Sequence, residues 1–128
     1  MRLLLDTHAF LWWVMDHPSL SAVARSAIAD PDNECLLSIA SAWEIAIKTS
    51  LGKLDVGVNL ERFIPEQLAV NRFQQLPLAL GHVLRVASLP WHHRDPFDRL
   101  LIAQCQADSL TLVSADASMR HYDVALLW

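Results

Sequence analysis

At 128 residues, 53% of them hydrophobic and 19% charged, the chain is long enough to bury a real core as one domain and is excluded from the disordered class. A formal net charge of −4 excludes coating of nucleic acid by bulk positive charge, unless bound cations reverse the local balance; two divalent ions would supply +4. Cys35 and Cys105 lie in apolar segments without CxxC spacing and read as small buried hydrophobes.

The elements follow in chain order. Residues 2–5 are a short, nearly all-apolar run, as expected of a strand covered on both faces of a parallel sheet. Asp6 and His8 break that run, and Ala9 to Met15 falls far short of a membrane span, so a soluble cytoplasmic protein without a membrane partner is expected. Residues 9–15 and 20–29 read as helices separated by Pro18, with a turn at residues 30–33. Residues 35–38 form a second strand. A helix opens at Ser41-Ala42-Trp43-Glu44 and closes before Gly52. Leu60, Phe63, Ile64 and Leu68 keep a helical face that Pro65 must kink or split. A weak strand at 73–76 and a helix at 79–88 follow. The irregular stretch 90–96 contains His92-His93, which read as solvent-facing loop residues. Pro96 suits the first turn of a helix running to about Ala107. Residues 110–113 form a strand, 117–121 a single turn, and 124–127 a last strand. With no repeat or linker, one domain over 1–128 is expected.

Alternating strands and helices predict an α/β fold in which a parallel sheet of four to five strands lies between helical layers. Ligands of such sheets bind beyond the carboxyl ends of the strands. Asp6 ends the first strand, Glu44 and Asp98 begin helices, and Asp116 follows the fourth strand, so four acids share one rim. Each helix-associated acid also has a structural reading. Ser41 and Glu44 are spaced as a capping box, Asp95-Pro96-Phe97-Asp98 as an N-cap, a proline and an acid favoured by the helix dipole, and Asp116 could cap the turn after it. Asp6 has none, since it follows three leucines and caps no evident helix.

Carboxylates gather only if their repulsion, roughly 4 kcal/mol for a pair about 4 Å apart at an effective dielectric of about 20, is compensated. A divalent cation is the usual compensation, and an oxygen-only donor set favours Mg²⁺ or Mn²⁺ over zinc. His8 could approach such a site. Carboxylate-bound Mg²⁺ suits phosphodiester hydrolysis. No Gly-rich phosphate loop, GxSxG or GxGxxG is present, and His8 stands where a phosphoryl-aspartate enzyme of the haloacid-dehalogenase type would want a second acid.

The same residues fall into four ordered blocks: Leu5-Asp6-Thr7; Ser41-Ala42-Trp43-Glu44-Ile45 with Lys48; His93-Arg94-Asp95-Pro96-Phe97-Asp98-Arg99 before Leu101-Ile102-Ala103; and Ser114-Ala115-Asp116. Together they span essentially the whole chain and resemble a PIN-domain ribonuclease, in particular the VapC-type toxins of bacterial toxin–antitoxin pairs. The resemblance implies an α/β/α sandwich and Mg²⁺- or Mn²⁺-dependent endonucleolytic cleavage of RNA. Asp6, Glu44 and Asp98 match the core metal-binding acids of the family, and Asp116 the more variable fourth. Thr7 and Ser114 match supporting hydroxyls, Ser114 standing where Thr is frequent. Lys48 and Arg99 are candidate RNA contacts, with a salt bridge as the alternative for Arg99, and Asp95 is left to capping. The resemblance also implies a small antitoxin partner and a homodimer. Trp12 and Trp13, neighbours on one helix, point about 100° apart, so one is a candidate for an exposed patch that a partner would cover. The competing readings are a binding module that kept the fold with its acids as helix caps, for which divalent ions would not raise the melting temperature, and a DNA-directed nuclease of the same architecture.

Overall fold

Three consecutive leucines are satisfied at once only in a strand whose two faces are both covered. In the computed structural model, which describes all residues, 1–128, Leu3 and Leu5 of β1 (Arg2–Leu5) enter one apolar cluster and Leu4 enters another on the opposite face. The remaining strands are β2 (Glu34–Ser38), β3 (Gln74–Leu76), β4 (Thr111–Val113) and β5 (Ala125–Leu127). They form one five-stranded sheet in the order β3-β2-β1-β4-β5. Every pairing is parallel, with Leu5 beside Leu37 on one side and Val113 on the other.

The helices are α1 (Thr7–Val14), α2 (Ala22–Ala29), α3 (Ile39–Ser50), α4 (Leu60–Asn71), α5 (Leu80–Arg85) and α6 (Pro96–Asp108), with 3-10 turns at Val86–Ser88 and Ala117–His121. Phe10, Ala24 and Phe63 bring α1, α2 and α4 onto the Leu3/Leu5 face, while Leu101, Ile102 and Cys105 bring α6 onto the Leu4 face. The α3 helix serves both, placing Ile45 in the first cluster and Ala40 in the second. The expected three layers are thus present. No helix is long and apolar enough to cross a membrane. Both cysteines are buried and free, and burial pushes the Cys35 thiol up to about 11 and that of Cys105 to about 12, as suits inert apolar packing.

The strand order reverses at β1: β2 and β3 extend the sheet to one side, β4 and β5 to the other. This reversal leaves a crevice above the carboxyl ends of β1 and β4.

Three local expectations need correction. Of the two outcomes expected at Pro65, a kink or a split, the split does not occur: α4 runs continuously through it, with Pro65 on the exposed side where the carbonyl it leaves unbonded can meet water. The helix expected over 79–88 ends at Arg85 and tightens into the 3-10 turn. Trp12 and Trp13 are both half-buried: Trp12 packs against His8, His17 and Trp128, and the Trp13 indole N–H donates to Asn71 Oδ1 at 2.9 Å. The exposed tryptophans are Trp43 and Trp91.

Candidate metal centre

Backbone geometry carries Asp6 to the rim. Its N–H donates to the Val113 carbonyl at 3.0 Å, extending the β1–β4 ladder by one bond, and the chain then turns directly into α1. Asp6 caps that helix, Oδ1 accepting from the Ala9 N–H at 2.8 Å, contrary to the expectation that it caps nothing. The apolar run that marks α1 in the sequence starts at Ala9, whereas its first turn is built from Thr7 and His8, which carry no apolar signal. Asp6 is nonetheless buried, and burial raises its carboxyl above the usual range, with Glu44 adding to the effect; hydrogen bonds from Ser114 and the Ala9 N–H, and the charge of His8, act the other way.

Glu44 departs from its capping reading in the opposite direction. The α3 helix starts at Ile39 and Ser38 is its N-cap, accepting from the Ala40 N–H at 3.0 Å and donating to Gln104 Oε1 at 2.6 Å. Ser41 therefore caps nothing; it is fully buried and its hydroxyl has no partner. Glu44, freed from any capping role, accepts from the Thr7 hydroxyl at 2.6 Å and pairs with Lys48 Nζ at 2.9 Å. Thr7 thereby ties the start of α1 to the middle of α3, and Lys48 lies four residues further along the same helix face.

Asp98 and Asp116 lie where capping places them. Asp95 Oδ1 accepts from the N–H groups of Phe97 and Asp98, with Pro96 in the first turn. Asp116 Oδ1 accepts from the Ser118 N–H at 2.9 Å and the Ser118 hydroxyl at 2.7 Å. Ser114 accepts from the Asp116 N–H at 3.1 Å, orienting that loop. Burial, then the charges of Asp95 and Asp6, push the Asp98 carboxyl up to about 7, against the lowering influence of His93. Burial also acts to raise Asp116, but hydrogen bonds from Ser118 and His93 outweigh it and hold that carboxyl below its usual value.

All four acids line one cavity of about 360 Å³, together with Thr7, His8, Lys48, His93 and Asp95. Two residues differ from what the sequence predicts. Arg99, expected as an RNA contact or a salt-bridge partner, is buried and pairs with no acid. Its guanidinium is only 2% exposed and donates to the carbonyls of Val86, Leu89 and Pro90 and to the Tyr122 hydroxyl, beneath the Trp91 ring at 3.9 Å. A planar fork of five donors suits converging carbonyls, and this one braces the loop before α6. His93, expected to face solvent from a loop, is half-buried. Its Nε2 lies 2.9 Å from Asp98 Oδ2 and 2.8 Å from Asp116 Oδ2, joining two acids from separate elements. The available signal was its position just before the Asp95 cap that starts the Asp98 helix; His92 beside it is exposed as expected.

Chemically, the site is an oxygen-rich crevice in which two carboxyls, Asp6 and Asp98, are held protonation-prone by burial and by other acids. Such a donor set fits a hard divalent cation, whose charge would replace the missing compensation.

A five-stranded parallel sheet with a carboxylate cluster at its switch point defines a class, and the chain belongs to it: the PIN domain family matches residues 3–125. Within the family, the chain is similar to Ribonuclease VapC16 from Mycobacterium tuberculosis (strain ATCC 25618 / H37Rv), with 40% identity over 70 residues, covering 52% of this chain and 48% of that protein. The chain thus spans about half the length of the curated relative it matches. Its fold is similar to that in the crystal structure of VapBC2 from Rickettsia felis bound to a DNA fragment from their promoter, with a TM-score of 0.74, 14% identity, and coverage of 98% of this chain and 97% of that one. It is also similar to VapBC-1 from nontypeable Haemophilus influenzae, with a TM-score of 0.67, 18% identity, and coverage of 98% and 96%.

Proposed function

We propose that the chain is a divalent-metal-dependent endoribonuclease acting as the toxin of a toxin–antitoxin pair. The observation that carries the reading is the convergence of Asp6, Glu44, Asp98 and Asp116, from four separate elements, on one cavity. The similarity to Ribonuclease VapC16 supports RNA as the substrate, and the VapBC structural neighbours support a small antitoxin as partner. A homodimer is part of the same proposal.

Asp6, Glu44, Asp98 and Asp116 would hold Mg²⁺ or Mn²⁺, which supplies a water of lowered pKa and a Lewis acid for a phosphoryl oxygen. The chain's own groups do the positioning. Thr7 fixes the rotamer of Glu44, Ser114 fixes the loop that carries Asp116, and Asp95 fixes the first turn that presents Asp98. Lys48 faces the cavity with its side chain 37% exposed and is the cation placed to meet a substrate phosphate. Glu44 counts against the reading in which the acids serve only as caps, because it caps no helix and is held by two other side chains.

The test is cleavage of single-stranded RNA by the purified chain with Mg²⁺ or Mn²⁺. Cleavage that chelator stops, and that Asp6→Asn loses while keeping its circular dichroism spectrum, is the expected result. A wild-type rate from Asp6→Asn would overturn the assignment.

A further inference from the structure

We infer that His93 is a hydrogen-bond donor to the scissile phosphate and not a metal ligand, an assignment that rests on the nuclease reading above. The ligand atoms of His93, Asp98 and Asp116 lie within 4.8 Å of one another, spacing that suits a three-ligand metal site equally well. The other ring nitrogen decides between the two. A histidine that ligates metal through one nitrogen characteristically donates the N–H of the other to a carbonyl or carboxylate. Here Nδ1 faces a donor instead: it accepts from the Asp95 backbone N–H at 3.2 Å. With Nδ1 accepting, the neutral ring carries its proton on Nε2, the nitrogen that faces Asp98 and Asp116 and lines the cavity. A protonated Nε2 has no lone pair for a cation.

The ring is also held in place. The His93 N–H donates to the Tyr122 hydroxyl at 2.9 Å, and that hydroxyl in turn donates to the Pro90 carbonyl at 2.9 Å. Arg99 donates to the same Pro90 carbonyl at 2.8 Å and to the Tyr122 oxygen at 3.3 Å. This knot fixes the backbone leading into His93, and the Asp95 N–H holds the ring from the other side, so Nε2–H is aimed before any substrate arrives. A preorganised donor among the acids is what a phosphate gaining negative charge requires.

The test separates donor from ligand. His93→Gln keeps an N–H near the Nε2 position, whereas His93→Ala removes it. Mn²⁺ dissociation constants are measured by electron paramagnetic resonance alongside single-turnover cleavage of a single-stranded RNA. Mn²⁺ should bind His93→Gln as tightly as the wild type and His93→Ala as tightly or tighter, because removing a donor from two carboxylates does not weaken their hold on a cation. Cleavage should fall about 100-fold in His93→Ala and recover at least tenfold of that in His93→Gln. Mn²⁺ binding weakened tenfold or more in His93→Ala would make the ring a ligand and overturn the inference, as would unchanged cleavage or equal loss in both variants. Should His93→Ala fail to fold, His93→Asn, whose amide reaches only the Nδ1 position, takes its place under the same criteria. A wild-type chain that neither binds Mn²⁺ nor cuts RNA removes the nuclease reading and this one together; one that does both, with His93→Ala indistinguishable from it, removes this one alone.

Discussion

Replacing Asp98 with Asn should make the metal-free protein more stable while removing its response to metal. The Asp98 carboxyl titrates at about 7, against an ordinary value of 3.8, because it is buried, with its side chain 20% exposed, and faces Asp95 and Asp6. Ionisation is therefore disfavoured in the folded chain. The stability associated with the protonated group is complete below about pH 3.8 and is lost as pH rises through about 7. At about 1.4 kcal/mol per unit, that loss approaches about 4 kcal/mol above neutrality. Asparagine is never charged and escapes it, and the opposing pull of His93 on the carboxylate is already contained in the raised value. The balance is up to about 4 kcal/mol in favour of the variant, or roughly 16 °C in melting temperature for a domain of this size. Thermal melts in chelator should show that difference at pH 8 and its disappearance near pH 4. Excess Mn²⁺ should then raise the wild type well above its chelator value and leave Asp98→Asn nearly unmoved. A variant that melts at or below the wild type at pH 8 in chelator, or that gains as much from Mn²⁺, would refute the electrostatic account of the site.

Other consequences are open to measurement. Thr7→Val, which deletes the donor to Glu44 while keeping the side-chain shape, should weaken Mn²⁺ binding about tenfold by calorimetry and lower stability by roughly 2 kcal/mol in urea. Arg99→Lys should lower stability by about 3 kcal/mol, because a single ammonium cannot serve the carbonyls of Val86, Leu89 and Pro90 together; the RNA affinity of the folded fraction, read by fluorescence anisotropy, should not change. Induced expression without a partner should halt growth, followed by optical density, and Glu44→Gln should relieve the arrest.

The order of elements was readable because the strands of a sheet covered on both faces leave an unmistakable apolar signature in Leu3-Leu4-Leu5 and Cys35-Leu36-Leu37. The rim position of the four acids followed from that order. What escaped was polar and local. Two residues without apolar character begin α1, so the capping role of Asp6 was hidden. Ser38 and Ser41 compete for the start of α3, and nothing in the spacing shows that Ser38 also reaches Gln104 of α6. Arg99, in the first turn of α6, and His93, in the loop before it, differ from expectation for one reason: a charged or polar side chain reads as exposed unless its partners are known. Those partners are carbonyls near positions 86–90, Tyr122 and Asp116, groups that only the folded chain brings within reach.

The pairing of β1 with β4 sets the timing of the site as well as its shape. Asp6 is fixed by a bond to Val113, and Leu5 lies beside it in register, so the first acid finds its place only once a segment from far along the chain has docked. A register slip of one residue would turn the β1 side chains to the opposite face. Contacts this distant in sequence form late and slowly, as loop closure must precede them. During synthesis, the stretch bearing Asp6 and Glu44 emerges well before its partners, and a ribosome-bound intermediate carries half the carboxylates and no assembled crevice. By this topology, the four acids of the proposed metal site cannot be brought together until translation has passed Asp116.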